Sequence, residues 1–186
     1  MKTSIRIFML LMLTAGLSSC EMIKGWTEVD IDTTLEAELD ILTDDTDLKS
    51  TDAFGFNKST TIQVINADLV DYEDLINAIK AKSVVIEVGV IESSGEPITG
   101  VKFLKDTKFG ISNPNTEFVW TLKNDLAIET DDIINLPADS YSVLNEILND
   151  YKDYPVTVSA IGECNLGNVY IELNYGIEIT VTSSPL

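Results

Sequence analysis

A regular alternation of apolar and polar residues begins near residue 29. The odd positions of residues 29–41 are apolar except for Thr33, and the even positions of residues 28–40 are acidic except for Thr34. A period of two held over this length predicts a strand with one buried face and one solvent-exposed face. Residues 169–182 show the same alternation. Two long strands are therefore expected to bracket the domain, and whether they are neighbours in one sheet is left open.

Shorter apolar or alternating runs predict further strands between these two. They cover residues 60–66, 84–91, 101–111 with an interruption around Asp106, 116–122, and 156–162. Turn-forming residues separate some of these runs, at Ser93-Ser94-Gly95-Glu96-Pro97 and at Asn113-Pro114-Asn115.

Two segments have the 3.6-residue period of a helix. One runs from Tyr72 to Ile79 after Asp71, and the other runs from Tyr141 to Tyr151 after Asp139 or Ser140. The predicted fold class is therefore mainly β: an antiparallel β-sandwich of about seven or eight strands with two short helices.

The first nineteen residues have the features of an export signal. Lys2 and Arg6 precede an apolar run over residues 7–13, which is shorter than the roughly 20 residues of a membrane-spanning helix. The segment ends in Leu17-Ser18-Ser19-Cys20, which resembles the lipobox of bacterial lipoproteins. The resemblance implies cleavage after residue 19 and a diacylglyceryl group on Cys20. It further implies a lipidated tether over residues 20–26 and a single domain over residues 27–186.

This resemblance also predicts where the protein is located. Two or more acyl chains, such as palmitate, hold a protein on a membrane, because each buried methylene contributes about 0.8 kcal/mol. In Gram-negative lipoproteins an Asp directly after the cysteine favours retention at the inner membrane, and Glu21 occupies that position here. We therefore expect a cell-envelope protein anchored to the outer membrane through the lipid on Cys20.

Composition excludes several classes of function. Residues 1–19 hold two of the 12 basic residues and none of the 31 acidic residues, so the mature chain has a formal charge of −21. Such a surface repels phosphate backbones, which argues against a nucleic-acid partner. The mature chain has no His and no Arg, so histidine-dependent catalysis and His-ligated metal sites are excluded. The sequence thus predicts a protein that is not an enzyme.

The second cysteine, Cys164, has no partner for an intramolecular disulfide once Cys20 is lipidated. Cys164 is expected to be a small buried hydrophobic residue. A catalytic thiolate would need a cationic neighbour that lowers its pKa, and this chain has few lysines.

The segment from Thr43 to Ser59 lacks a period and predicts a long acidic loop, which in a compact domain is usually functional or disordered. Phe54 and Phe56 are candidate binding residues at its tip. Candidate calcium ligands also lie in this loop, although the glycine and terminal Glu of an EF-hand are absent at the required offsets. These ligands are Asp44, Asp45, Asp47 and Asp52. Loop solubility explains these acids without a metal, so no cofactor is expected and calcium remains an alternative.

Two further features have competing interpretations. The even positions of the first long strand place carboxylates about 7 Å apart, a spacing that also suits the two acids of an inverting glycosidase. Any strand with acids at i and i+2 has this spacing, so a solvated face is the preferred interpretation, and a cation-binding or partner-binding surface is the alternative. Trp120 shares one strand face with Phe118 and Leu122, which indicates core packing.

Three hypotheses for function follow from these observations. The first is a lipid-anchored, non-catalytic envelope lipoprotein that binds a protein or glycan partner through the Thr43 to Ser59 loop. The second is a structural subunit of an envelope or fibre assembly, with an edge strand or the acidic strand face as its interface. The third is a carboxylate-dependent glycan hydrolase. In its organisation the chain resembles uncharacterised small β-sandwich envelope lipoproteins.

Overall fold

The two long alternating segments are neighbouring strands in the computed structural model, which describes residues 28–43, 53–138 and 141–184. Strand β1 (Val29–Leu42) pairs antiparallel with β11 (Tyr170–Ser183) along its whole length. The register places Val29 opposite Ser183 and Leu42 opposite Tyr170. The two ends of the domain are therefore joined in one sheet, which settles the question that the alternation left open.

Strand β3 (Ile76–Ser93) completes the centre of this first sheet by pairing with the other side of β11. Two short strands pair with the far side of β3, namely β4 (Glu96–Pro97) and β9 (Ile133–Asn135). The sheet order is therefore β1, β11, β3, and then β4 and β9.

The second sheet is built around β10 (Val156–Cys164). Strand β2 (Phe54–Ile62) pairs with one side of β10, and β5 (Val101–Phe103) and β6 (Lys108–Ser112) pair with the other. Strand β7 (Glu117–Thr121) extends the sheet from β6, and β8 (Leu126–Ile128) extends it from β5.

The β-sandwich prediction is confirmed. Of the eleven strands in the described ranges, seven have five or more residues and four have only two or three. Three of the short strands, β4, β8 and β9, were not predicted, because two or three residues cannot show an alternation. The predicted interruption of residues 101–111 is also confirmed: Asp106 has a positive φ of 69° between β5 and β6.

Both predicted short helices are present, and the one near Asp71 is shorter than predicted. Helix α1 (Ser142–Asn149) buries Leu144, Ile147 and Leu148, while its predicted caps at Asp139 and Ser140 lie outside the described residues. The segment around Asp71 forms a 3-10 helix (Val70–Leu75), and its predicted continuation to Ile79 is wrong, because β3 begins at Ile76. Pairing of β3 with β11 overrides the local helical period there. Among the described residues no helix has the length and apolar character needed to cross a membrane.

The boundaries of β2 also differ from the prediction. A strand over residues 60–66 and a loop extending to Ser59 are wrong, because β2 begins at Phe54 and pairs with β10 from Phe54 opposite Cys164 to Ile62 opposite Val156. The middle of β2 is a polar run without apolar alternation, so the sequence did not indicate a strand there.

The core lies between the two sheets. It contains the inward-facing residues of β1 and β11, and Cys164 is fully buried there as expected, which raises the pKa of its thiol. The hydroxyl of Tyr175 in β11 donates a hydrogen bond of 2.7 Å to the carbonyl of Ser159 in β10, so it joins the two sheets.

Candidate functional site: the acidic face of the first sheet

The outer face of the first sheet carries a high density of negative charge. Residues that stand opposite each other in paired strands project from the same face, so the even positions of β1 share this face with their partners on β11 and β3. We call this surface the acidic face. Its nine carboxylates are Asp30, Asp32, Glu36, Glu38 and Asp40 on β1, Glu172 and Glu178 on β11, and Glu87 and Glu92 on β3. Only two lysines accompany them on these strands, Lys80 and Lys82.

The two lysines lie at one end of the acidic face. Lys82 Nζ donates to Asp32 Oδ1 at 2.6 Å, and Thr180 Oγ1 donates to the same oxygen at 2.7 Å. These two hydrogen bonds lower the pKa of Asp32, that from Lys82 most. Lys80 stands opposite Thr180, which in turn stands opposite Asp32. In the described strands, the other end of the face, from Glu36 to Asp40, therefore has no lysine across from it on β11 or β3.

A depression of about 580 Å³ lies in this uncompensated part. We call it the notch, and its floor is the backbone around Gly176. Gly176 stands opposite Glu36 of β1 on one side and Val85 of β3 on the other. The side chains and backbone that line it come from three strands: Thr34, Glu36, Ala37, Glu38, Val85, Glu87, Asn174, Tyr175 and Gly176. Three carboxylates thus surround a gap in the middle of the sheet.

Glycine at position 176 is what opens the notch. A Cβ atom there would lie 3.2 Å from Val85 Cγ2 and 3.7 Å from Thr34 Cγ2, so any larger side chain would occupy the space between β1 and β3. Glycine in the interior of a strand weakens the strand and often marks a place where another molecule approaches the backbone. A binding role for the notch is consistent with this use of glycine.

A second cluster of acids borders the notch. One carboxylate oxygen from each of Glu38, Asp40 and Glu172 lies within 4.8 Å of the other two. Tyr170 donates its hydroxyl to Asp40 Oδ1 at 2.5 Å, and this hydrogen bond raises the pKa of Tyr170 well above its usual value. Asn174 Nδ2 donates to Glu172 at 3.0 Å. Hard cations such as calcium bind carboxylate oxygens as ligands, so these three acids are candidate ligands for one such cation.

This cluster contains none of the calcium candidates that the sequence indicated. Asp44, Asp45, Asp47 and Asp52 lie outside the described residues, as does Cys20. The alternation in residues 169–182 already contained Glu172, but only the pairing of β1 with β11 places it beside Asp40.

The aromatic candidates of the predicted loop are packing residues. Phe56 is only 7% exposed, and the centroid of its ring lies 5.5 Å from that of Phe103. The prediction of a recognition tip at Phe56 is therefore wrong. Phe54 is half-buried, and a Cβ on Gly167 would lie 2.5 Å from the nearest atom of its ring. Both side chains belong to β2, whose pairing with β10 turns Phe56 into the core.

The notch is chemically suited to hold positive charge. Glu36, Glu38 and Glu87 are all exposed to solvent. A glycan hydrolase needs one acid in an apolar pocket, where burial keeps it protonated, beside a second acid that stays ionised. Three exposed carboxylates around a peptide floor instead offer several acceptors for ammonium or guanidinium groups.

Comparisons with known proteins do not identify a family. No protein-family model matches the chain, and no curated protein matches it in sequence. Among solved structures, a chain from Desmodium yellow mottle tymovirus aligns over 85% of this chain and 90% of its own length, with 12% identity and a TM-score of 0.35. This likeness is too distant to support an argument about function.

Proposed function

We propose that this protein is a lipid-anchored, non-catalytic component of the bacterial envelope that binds a cationic protein partner on the acidic face. The observation that carries the proposal is the notch, a gap opened by Gly176 in the middle of the sheet and bordered by three carboxylates. A face that needed charge only for solubility would not require a glycine at the centre of β11.

The dimensions of the notch suit basic side chains. Glu36 and Val85 each stand one strand spacing from Gly176, so the gap is about 10 Å wide. A lysine or arginine of the partner can reach the peptide floor while its charge lies between Glu36, Glu38 and Glu87. Exposed ion pairs contribute only about 0–1 kcal/mol each, so useful affinity requires several basic groups along the face. Such binding weakens with added salt, and its association rate is raised by electrostatic steering.

The proposal that the protein is not an enzyme is supported by the chemistry of the available side chains. The mature chain has no histidine to move protons near neutral pH. The buried thiol of Cys164 has a raised pKa because of desolvation, which disfavours the nucleophilic thiolate. The carboxylates of the notch are exposed rather than held in an apolar pocket.

The lipid on Cys20 is proposed to place this face near the outer membrane. Strand β1 begins at Val29, and the eight residues 21–28 can span at most about 29 Å when fully extended. We expect Cys20→Ala to abolish incorporation of an alkyne-palmitate label in growing cells and to move the protein out of the membrane fraction. Unchanged labelling and fractionation would refute the anchor without affecting the proposal for the notch.

Binding at the notch can be tested with charge-neutralising variants. The chain from Glu21 onward, which keeps every described residue, would be titrated with a fluorescent decalysine peptide. The triple variant Glu36→Gln, Glu38→Gln, Glu87→Gln should weaken binding at least tenfold. Gly176→Leu should do the same without any change in charge, because its side chain fills the notch.

A matched control separates the notch from net charge. Glu96→Gln, Glu129→Gln, Glu146→Gln removes the same number of exposed carboxylates from other elements, and this variant should bind decalysine within about twofold of the parent. If the control triple weakens binding as much as the notch triple, or if Gly176→Leu binds normally, the notch is not the site.

A further inference from the structure

A second depression, of about 450 Å³, lies beside the acidic face at the far edge of the first sheet. We call it the Trp120 groove. It runs between β7, β8 and β9, and it is lined by Trp120, Leu126, Ala127, Ile128, Asp132, Ile133, Ile134 and Asn135. Most of this lining is apolar, in contrast to the notch.

The groove lies at the edge of the core, against which Trp120 packs as expected, and two of its side chains present apolar surface. Ile133 is 64% exposed, the largest exposed fraction among the large hydrophobic residues of the described chain. Trp120 packs one side of its indole on the buried ring of Phe109, with ring centroids 5.8 Å apart and an interplanar angle of 30°, and it also lines the groove. Exposed apolar residues gathered around an aromatic ring are typical of the anchor pockets in protein interfaces.

The groove and the notch share a border through the pairing of β3 with β9. Glu87, which lines the notch, stands opposite Ile133, which lines the groove. Val85 and Asn135 form a second such pair across the two sites. From Gly176 on β11 to β9 is two strand spacings, about 10 Å. A single partner segment that lies across the strands can therefore contact both sites.

The charge around the groove indicates what kind of segment this is. Asp132 lines the groove and Glu87 borders it, so an isolated apolar ligand would gain nothing from these two acids. A segment that carries both a cationic and a large apolar side chain satisfies both parts of the surface.

We infer that the partner binds through a segment in which a basic side chain fills the notch and a large apolar side chain, about 10 Å away, fills the Trp120 groove. This inference rests on the proposed function and specifies the partner's chemistry. The apolar contact provides the anchor that exposed ion pairs alone do not supply.

The test uses two kinds of probe peptide on the chain from Glu21 onward. One is decalysine, and the other is the same peptide with phenylalanine two or four residues from a central lysine, which brackets the 10 Å separation in an extended segment. At least one of the phenylalanine peptides should have a Kd at least ten times lower than that of decalysine. Ile133→Thr, which keeps a β-branched residue in β9, should remove that gain and leave decalysine binding unchanged.

The control variant is Val119→Thr. Val119 is an exposed apolar residue on β7, 39% exposed, that does not line the groove, so this substitution should preserve the gain. If both peptides bind equally to the parent, or if the gain survives Ile133→Thr, the inference is refuted while binding at the notch stands. If neither peptide binds, the proposed function itself fails.

Discussion

Gly162 provides a sharp test of how β10 packs against the segment that joins β5 and β6. It lies in β10 opposite Phe56 of β2. A Cβ atom at this position would lie 2.7 Å from both Cβ and Cγ2 of Thr107, and closer still to its hydroxyl. Thr107 is fully buried, and it cannot move away easily because its N–H donates to the Leu104 carbonyl at 3.2 Å and its carbonyl accepts from Leu122 at 2.8 Å. Gly162→Ala should therefore strain the core.

The size of the effect follows from two opposing contributions. Gly162 does not have a positive φ, so alanine fits its backbone, and the smaller entropy of the unfolded chain stabilises the variant by about 0.4–1 kcal/mol. Overpacking against Thr107 costs about 1–3 kcal/mol. Taking the middle of each range, we expect the free energy of unfolding to fall by about 1.3 kcal/mol, which corresponds to a Tm lower by roughly 3–5 °C for a domain of this size.

The assay is urea denaturation followed by far-UV circular dichroism, with Gly176→Ala as the matched control. At Gly176 the tightest new contact is 3.2 Å to a terminal methyl of Val85, so its stability should stay within about 0.5 kcal/mol of the parent. Adding Thr107→Ser to Gly162→Ala removes one of the clashing atoms and should restore part of the loss. Equal stability of Gly162→Ala and the parent would refute the packing argument.

Three further predictions concern single groups. Thr107 Oγ1 is buried without a hydrogen-bond partner in the described structure, so Thr107→Val should raise the free energy of unfolding by about 1 kcal/mol in the same urea assay. Burial raises the pKa of Tyr175 well above its usual value, so its contribution to stability is full below about pH 10, the value for an unfolded tyrosine, and is lost at higher pH. Tyr175→Phe loses the hydrogen bond to Ser159, but between pH 9 and 11 its free energy of unfolding should fall less steeply with pH than that of the parent. The same slope in both proteins would contradict this. Lys82 lowers the pKa of Asp32, so Lys82→Met should raise that pKa toward 3.8 in an NMR titration, whereas an unchanged midpoint would show that the ion pair does not form in solution.

The amphipathic character of the two long strands was available from the sequence. The period-two alternation over residues 29–41 and 169–182 showed which side chains face the core, because side-chain direction in a strand depends only on position along the chain. The interruption near Asp106 and the helix after Tyr141 were also visible as local patterns. Composition excluded histidine chemistry without any knowledge of the fold.

Only the tertiary structure decided where Phe56 lies and where the helix from Tyr72 ends. Phe56 was expected at a loop tip, but pairing of β2 with β10 places it in the core against Phe103. The helix predicted from Tyr72 ends early because β3 pairs with β11. In both cases, contacts between distant segments outweigh local preferences.

The candidate site shows the same division. From the sequence it was known that β1 has an acidic face and that residue 176 is a glycine at a polar position of the last strand. The notch exists only because Gly176 is flanked by Glu36 on one side and Val85 on the other, and this depends on strand order and register. A one-residue change in register would move every side chain of a strand to the opposite face, so the site is determined by pairing between residues far apart in the chain.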